Sequence, residues 1–226
     1  MKTTLDFLTQ LKLNNNREWF ESNKKMYLIS QEEMIDFAEK LLEKTRKIDV
    51  LNTISGKKSL FRIYKDVRFS KDKTPYKTNR SGNFKREGAS RRGSYYFSIE
   101  PGNSLIGGGF YQPNAEDLLH IRKQIEVDSA PLRNAIGAKA FKNYYGEFQG
   151  ESLKTAPKGF DKEHADIDLL RRKHFYVIHP FTDQEVLAPD FVEKVITGFK
   201  ILMPFFDCMS SYLITDLNGA PLLDEI

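Results

Sequence analysis

The spacing of apolar residues changes along this chain, and that change restricts the available folds more than any single motif does. Leu5, Leu8 and Leu11 stand three apart, and Trp19, Phe20, Tyr27, Met34, Phe37, Ala38, Leu41 and Leu42 continue at helical spacing. One face of an N-terminal helical part therefore meets a core, with Asn15 or Asn16 as the expected cap of a helix beginning near Arg17. From Phe61 the period becomes two. Phe61, Ile63, Val67 and Phe69 alternate with Arg62, Tyr64, Asp66 and Arg68, as a half-buried strand requires. Lys65 interrupts the apolar side, either by running its stem past the core edge or by a local bulge.

Gly93 to Ile99 alternates again, Pro101-Gly102-Asn103 supplies turn chemistry, and Leu105 to Tyr111 returns as a hairpin partner. Helical spacing resumes after Asn114, a capping residue for Ala115 to Glu126 whose buried side is read as Leu118, Leu119, Ile121 and Ile125. A strand over His174 to His179 and a last helix from Pro189 to about Tyr212 complete the series. Strands in the middle with helices on both flanks imply an α+β fold, mostly antiparallel, with helices packed on one face of the sheet. The expected organisation is a single domain over 1–226: a helical part (1–50), a basic strand and loop core (57–112), and helices with at least one further strand (113–226).

Cys208 is the only cysteine, which excludes an internal disulfide and a multi-cysteine zinc site and favours a reducing, cytoplasmic setting. Neither the first thirteen residues nor the apolar stretch Phe199 to Phe206, interrupted by Lys200 and Pro204, reads as a signal peptide or a membrane span. Charge is distributed unevenly. From Lys57 to Arg92 thirteen Lys or Arg oppose Asp66, Asp72 and Glu87, an excess of ten in a chain whose formal charge is +4. The basic segment thus calls for an anionic partner, or is a solvated surface.

On a strand, Arg62, Asp66 and Arg68 would share one face with Tyr64, the carboxylate orienting two guanidiniums as an anion clamp or as a plain structural ion network. Beyond Phe69, Pro75 stiffens a loop carrying Asp72, Lys73, Tyr76, Lys77 and Asn79, whose donors could close over phosphate or carboxylate oxygens. Arg80, Lys85, Arg86, Arg91 and Arg92 add positive potential in what reads as a solvated loop. Gly107-Gly108-Gly109 marks a bulge, or bares backbone at Gly108 beside the arginines. The favoured function is binding of a phosphate- or carboxylate-bearing, nucleotide-like small molecule at these residues. Nucleic-acid binding is the alternative, through Phe69, Tyr76, Phe84, Tyr95 and Tyr96 as stacking aromatics, and a non-enzymatic interaction protein with a structural charge network is the third.

Nothing in the pattern names a reaction or a cofactor. Four histidines are scattered; His164, Asp166 and Asp168, or His174 with His179, fit capping and surface roles better than metal ligation. Arg171 or Arg172 could reach the basic cleft. Cys208 lies in an apolar helix as core filler, and Asp66 or Asp72 beside cations would be a weak base.

The residues Arg62-x-x-Lys65-Asp66-x-Arg68-Phe69-x-x-Asp72-Lys73-x-x-Tyr76 resemble the signature R-x-x-R-D-x-R-F-x-x-D/N-K-x-x-Y of a widespread bacterial family, domain-of-unknown-function family 2461. The stretches FLTQLKLNNNREWFESNKKMY, YYFSIEPGNSLIGGGFYQP and LKTAPKGFDKEHADIDLLRRK are similar to blocks of the same family. Lys65 stands where the pattern has arginine, which removes a bidentate group there. The resemblance implies full-length membership and marks the basic segment, and it implies no reaction.

Overall fold

A computed structural model describes residues 1–88 and 90–222. Helices α1 (Lys2–Leu13), α2 (Arg17–Ser22), α3 (Lys24–Thr45) and α4 (Gly56–Ser59) precede strands β1 (Arg80–Lys85), β2 (Ser94–Ile99) and β3 (Ser104–Phe110). Helices α5 (Ala115–Val127), α6 (Ala130–Gly137), α7 (Lys139–Tyr145) and α8 (Ile167–Leu170) follow, then β4 (Phe175–Phe181), α9 (Asp183–Leu187) and α10 (Phe191–Ile214). The strands form one antiparallel sheet in the order β1-β2-β3-β4, so the chain is α+β.

Local chemistry accounts for several boundaries. The Asn16 side chain accepts from the Trp19 N–H at 2.9 Å and starts α2, while Asn114 accepts from the Asp117 N–H at 2.8 Å and starts α5. Asn23 ends α2 and begins α3, so the helical stripe read from Arg17 onward belongs to two helices. On α5 the buried residues are Ile121, Gln124 and Ile125, with Leu119 44 % exposed, a stripe turned from the one expected. Between β2 and β3 the Asn103 N–H reaches the Glu100 carbonyl at 2.9 Å. Pro101 and Gly102, the latter at φ 72°, fill the two central positions that a type II turn assigns to proline and glycine.

Two compact units are distinguished. The first comprises Met1–Phe84, Tyr96–Ile106 and Pro180–Thr197. Its core holds Phe7, Leu8, Leu11, Phe20, Ile63 and Tyr76, with Trp19, Met26 and Tyr27 packed against them. Phe37 stacks on Phe191 at 5.5 Å and meets Phe97 edge-on at 5.6 Å.

The second unit comprises Lys85–Tyr95, Gly107–His179 and Gly198–Ile226. Tyr95 packs on Phe199 and Phe206 at 4.6 and 4.9 Å, and Phe205 meets Phe110, Phe141 and Phe148. The triple glycine belongs to this core. A Cβ on Gly107 would lie 2.3 Å from the Val177 carbonyl oxygen, and one on Gly109 would lie 2.2 Å from that of Phe175. At Gly108 a Cβ would run into Leu202 and Phe206, so α10 packs closely against Gly108, where the sequence suggested bare backbone. Residues 80–85, expected as a solvated loop, are strand β1, and Arg80, Phe84 and Arg86 are buried.

Candidate anion site

The stretch Phe61–Phe69 is not a continuous strand. Backbone pairing starts well: Leu60 bridges Gly82, and the Phe61 N–H donates to the Ser81 carbonyl at 2.9 Å. It resumes where the Lys77 N–H donates to Ile63 (2.8 Å), Tyr64 bridges Tyr76, and the Lys65 N–H donates to Pro75 (2.9 Å). Only Arg62 separates Phe61 from Ile63, whereas Thr78, Asn79 and Arg80 separate Lys77 from Ser81. The second segment therefore bulges, the ladder breaks, and side-chain alternation fails with it. Ile63 alone among the four expected inward residues is buried; Phe61 is 42 % and Phe69 96 % exposed.

Both carboxylates of the loop 66–74 are engaged by nearby cations. Asp66 accepts from Arg68 Nε and Nη2 at 3.0 and 2.7 Å and from the Arg68 N–H at 3.2 Å. These bonds, the side-chain ones foremost, hold the Asp66 carboxyl below the ordinary carboxylate range. Asp72 pairs with Lys65 and accepts from both the N–H (2.9 Å) and hydroxyl (2.8 Å) of Thr74. The Lys65 ammonium, then Thr74, press its carboxyl well below the usual range. Lys73 donates to the Val67 carbonyl at 2.9 Å. The loop's stiffness thus comes from two Asx turns as well as from Pro75, and its pairs are exposed, a kind that adds little to stability. Arg17 and Lys73 both line an open groove of about 500 Å³ along residues 15–17, Val67 and residues 73–75.

Other expected site residues are occupied. Tyr76 is buried and stacked on Phe20 at 4.0 Å, with an interplanar angle of 11°. Tyr64 packs beside it, 5.5 Å from Tyr76 and 6.3 Å from Phe20, and not between guanidiniums. Asn79 donates to the Ser98 hydroxyl at 2.7 Å and Thr78 to Glu100 at 2.8 Å, tying the bulge to β2. Asn15 donates to the Tyr76 carbonyl at 2.9 Å and accepts its N–H at 3.1 Å, pairing with that residue as a strand neighbour would.

What remains at the hairpin base is a set of cations. Arg80 is 2 % exposed, and its Nη1 and Nη2 donate to the Phe61 carbonyl (3.4 Å) and to Gln31. Its Nε is buried without a hydrogen-bond partner, and no carboxylate pairs with it among the described residues. Burial disfavours its charge, with the nearby Tyr27 phenol, itself bonded to Gln31 at 3.3 Å, working the other way. Lys77 lies over the Phe61 ring at 5.7 Å. Burial, then Arg80, then Arg62 lower its ammonium below the ordinary lysine range. Arg62 is exposed and forms no ion pair or hydrogen bond among the described residues. A buried cation without an anion is costly, and Arg80 is one, with the half-buried Lys77 and the exposed Arg62 nearby.

Arg80 was absent from the candidates because its basic, glycine-containing context reads as loop. The period of two running back from buried Phe84 through Gly82 reaches Arg80, and that was the available signal. In the second unit Arg171 donates to Leu153 (2.6 Å) and Arg172 to Phe148 and Gln149 (2.9 and 3.4 Å), so both secure loop carbonyls. Asp166 and Asp168 pair with Arg133 at 2.9 and 2.5 Å, and the His164 Nδ1 accepts the Asp166 N–H at 3.0 Å. Burial pushes the Cys208 thiol up to about 11, an unreactive state near neutral pH. Among the described residues no cluster of His, Cys, Asp or Glu is arranged to hold a metal, and no helix is long and apolar enough to cross a membrane.

A family model described as "Conserved hypothetical protein (DUF2461)" matches residues 3–208. No curated protein and no solved structure matches the chain.

Proposed function

The chain belongs to the DUF2461 family, and we propose that it binds an anionic small molecule, phosphate- or carboxylate-bearing, at the base of the 60–82 hairpin. The observation that carries this reading is Arg80, a buried guanidinium with an unpartnered Nε and no carboxylate. Structural arginines are usually neutralised, because an uncompensated buried charge costs several kcal/mol (order of magnitude). A ligand oxygen would supply the missing acceptor, with the less buried Lys77 and Arg62 adding charge beside it. Arg68 and Asp66, satisfied by each other, stiffen the adjoining loop rather than grip the anion.

A thermal-shift panel of sugar phosphates, nucleotides and small carboxylates tests this. A ligand at about a hundred times its dissociation constant stabilises the fold by roughly 2.7 kcal/mol. Arg62→Met and Lys77→Met should each abolish that shift while folding normally; a shift that survives both removes the assignment.

A second reading, nucleic-acid binding, rests on Phe69, 96 % exposed with Arg68 5.9 Å from its ring. Its stacking set is smaller than the sequence suggested, since Tyr76, Phe84 and Tyr95 are buried. Oligonucleotide affinity falling steeply with salt would support it, and salt-independent or absent binding would remove it. A single cysteine and a basic anion site fit a cytoplasmic protein, to be checked by cell fractionation; recovery in an extracytoplasmic fraction would reject that placement.

A further inference from the structure

We infer that the anion taken at the hairpin base is a phosphomonoester in its doubly charged form, an inference that rests on reading that place as an anion site. Charge is the first argument. Arg62, Lys77 and Arg80 come off backbone positions bounded by Phe61–Ile63 and the facing bulge 77–80, fixed by the Lys77 to Ile63 and Arg80 to Phe61 bonds at 2.8 and 3.4 Å. Among the described residues no carboxylate is bonded to any of them; the carboxylate whose field Arg62 feels, Asp66, is engaged by Arg68. From α3 the facing groups are the Tyr27 phenol and the Gln31 amide, and from the end of β2 the Glu100 carboxylate, which accepts from the Thr78 hydroxyl in the bulge and from the Asn103 amide rather than from the three cations. A carboxylate would offset one of three positive charges. A phosphomonoester, whose second proton leaves near pH 6 (about), would offset two.

Donor geometry is the second argument. Arg80 has committed Nη1 and Nη2 and retains Nε–H. Lys77 offers up to three N–H donors and Arg62 five. Donors arriving on three separate side chains, one buried, one half-buried and one exposed, suit three terminal oxygens set tetrahedrally about phosphorus. A planar carboxylate presents two oxygens, which one guanidinium fork satisfies alone. Phe61, 42 % exposed and beneath Lys77, offers apolar surface to whatever the phosphoryl group is attached to.

Phenyl phosphate, phenyl sulfate and benzoate keep one ring and change only the head group, and their titration by calorimetry separates the possibilities. At about pH 7.5 phenyl phosphate should bind at least about tenfold more tightly than the singly charged sulfate ester or benzoate. That advantage should collapse at about pH 5, where the phosphate ester also carries a single charge. Arg62→Met and Lys77→Met, each keeping an apolar stem, should remove it while melting as cooperatively as wild type.

Three equal affinities, all lost in the two variants, would leave the anion site standing and overturn the phosphomonoester assignment. Binding of phenyl phosphate undiminished in both variants would place the anion elsewhere and overturn both readings. No heat from any of the three up to about 10 mM would do the same.

Discussion

Arg80 opens β1 and Arg86 follows it, and both side chains are buried, yet their surroundings differ in kind. Arg86 donates to Asp207 at 2.9 Å and to the Arg92 carbonyl and the Ser210 hydroxyl at 3.3 Å each, with its guanidinium 5.2 Å from the Phe206 ring centroid. That set satisfies a planar cation with a carboxylate, neutral acceptors and an aromatic face. Arg80 has two neutral acceptors, a bare Nε, and two further cations for neighbours. The contrast separates an arginine whose charge is paired from one whose charge is not. A count of positive charge does not distinguish them, and pairing does. Loop 66–74 makes the same point, since it is rich in charge and both its carboxylates are engaged.

The largest effect should come from the paired arginine. Arg86→Met removes charge-assisted hydrogen bonds and should lower unfolding free energy by about 2–3 kcal/mol, read from urea titration; a loss within error would put the two arginines in one class. Arg80→Met should move the ligand-free protein by less than about 1 kcal/mol in either direction, because it deletes a buried charge that nothing offsets. The variant should also lose anion-induced stabilisation. A loss as large as that at Arg86 would show Arg80 to be a structural arginine after all.

The smallest effect is a slope with pH. The Lys77 ammonium is held below the ordinary lysine range, so between its folded value and its unfolded value the unfolded chain binds more protons. Unfolding free energy then rises with pH across that window and levels off above about 10.4. Subtracting the curve for Lys77→Met isolates this rise, and saturating anion should flatten or invert it. A difference curve that already falls with pH in the ligand-free protein would mean that Lys77 gains a favourable partner on folding.

Much of the fold was legible because its signals are local. Asn16 and Asn114 cap where their positions before helical stripes suggest, the Pro101-Gly102 turn joins two alternating strands, and β4 follows from a short apolar run. The basic segment misled for a physical reason. Alternation from Phe61 to Phe69 is real in the sequence, but a strand also needs a partner in register, and the pairing is interrupted opposite Arg62, where Thr78 to Arg80 bulge, and stops at the Lys65 to Pro75 bond. Lys65, which broke the pattern, pairs with Asp72 across the resulting loop. Of the candidate site, the sequence marked a basic region but not the partners of its residues. Arg68 pairs with Asp66 and Tyr76 stacks on Phe20, while the unpartnered Nε of Arg80 was hidden because burial of a charge leaves no trace in composition. The packing of Gly108 against α10 was equally hidden, because a glycine that admits a ligand and one that admits a neighbouring helix look alike in a string of letters.

The two hydrogen bonds between the Asn15 side chain and the Tyr76 backbone turn one peptide group into a reporter. Elsewhere in a sheet, an amide proton is shielded from solvent by a neighbouring strand and is released when that strand peels away. At Tyr76 the shield is a carboxamide on the connection between α1 and α2, so deuterium uptake at this single amide times the parting of the hairpin from that connection. Its exchange half-life would then track opening next to the cation cluster, before and after an anion settles there, without a label or a mutation.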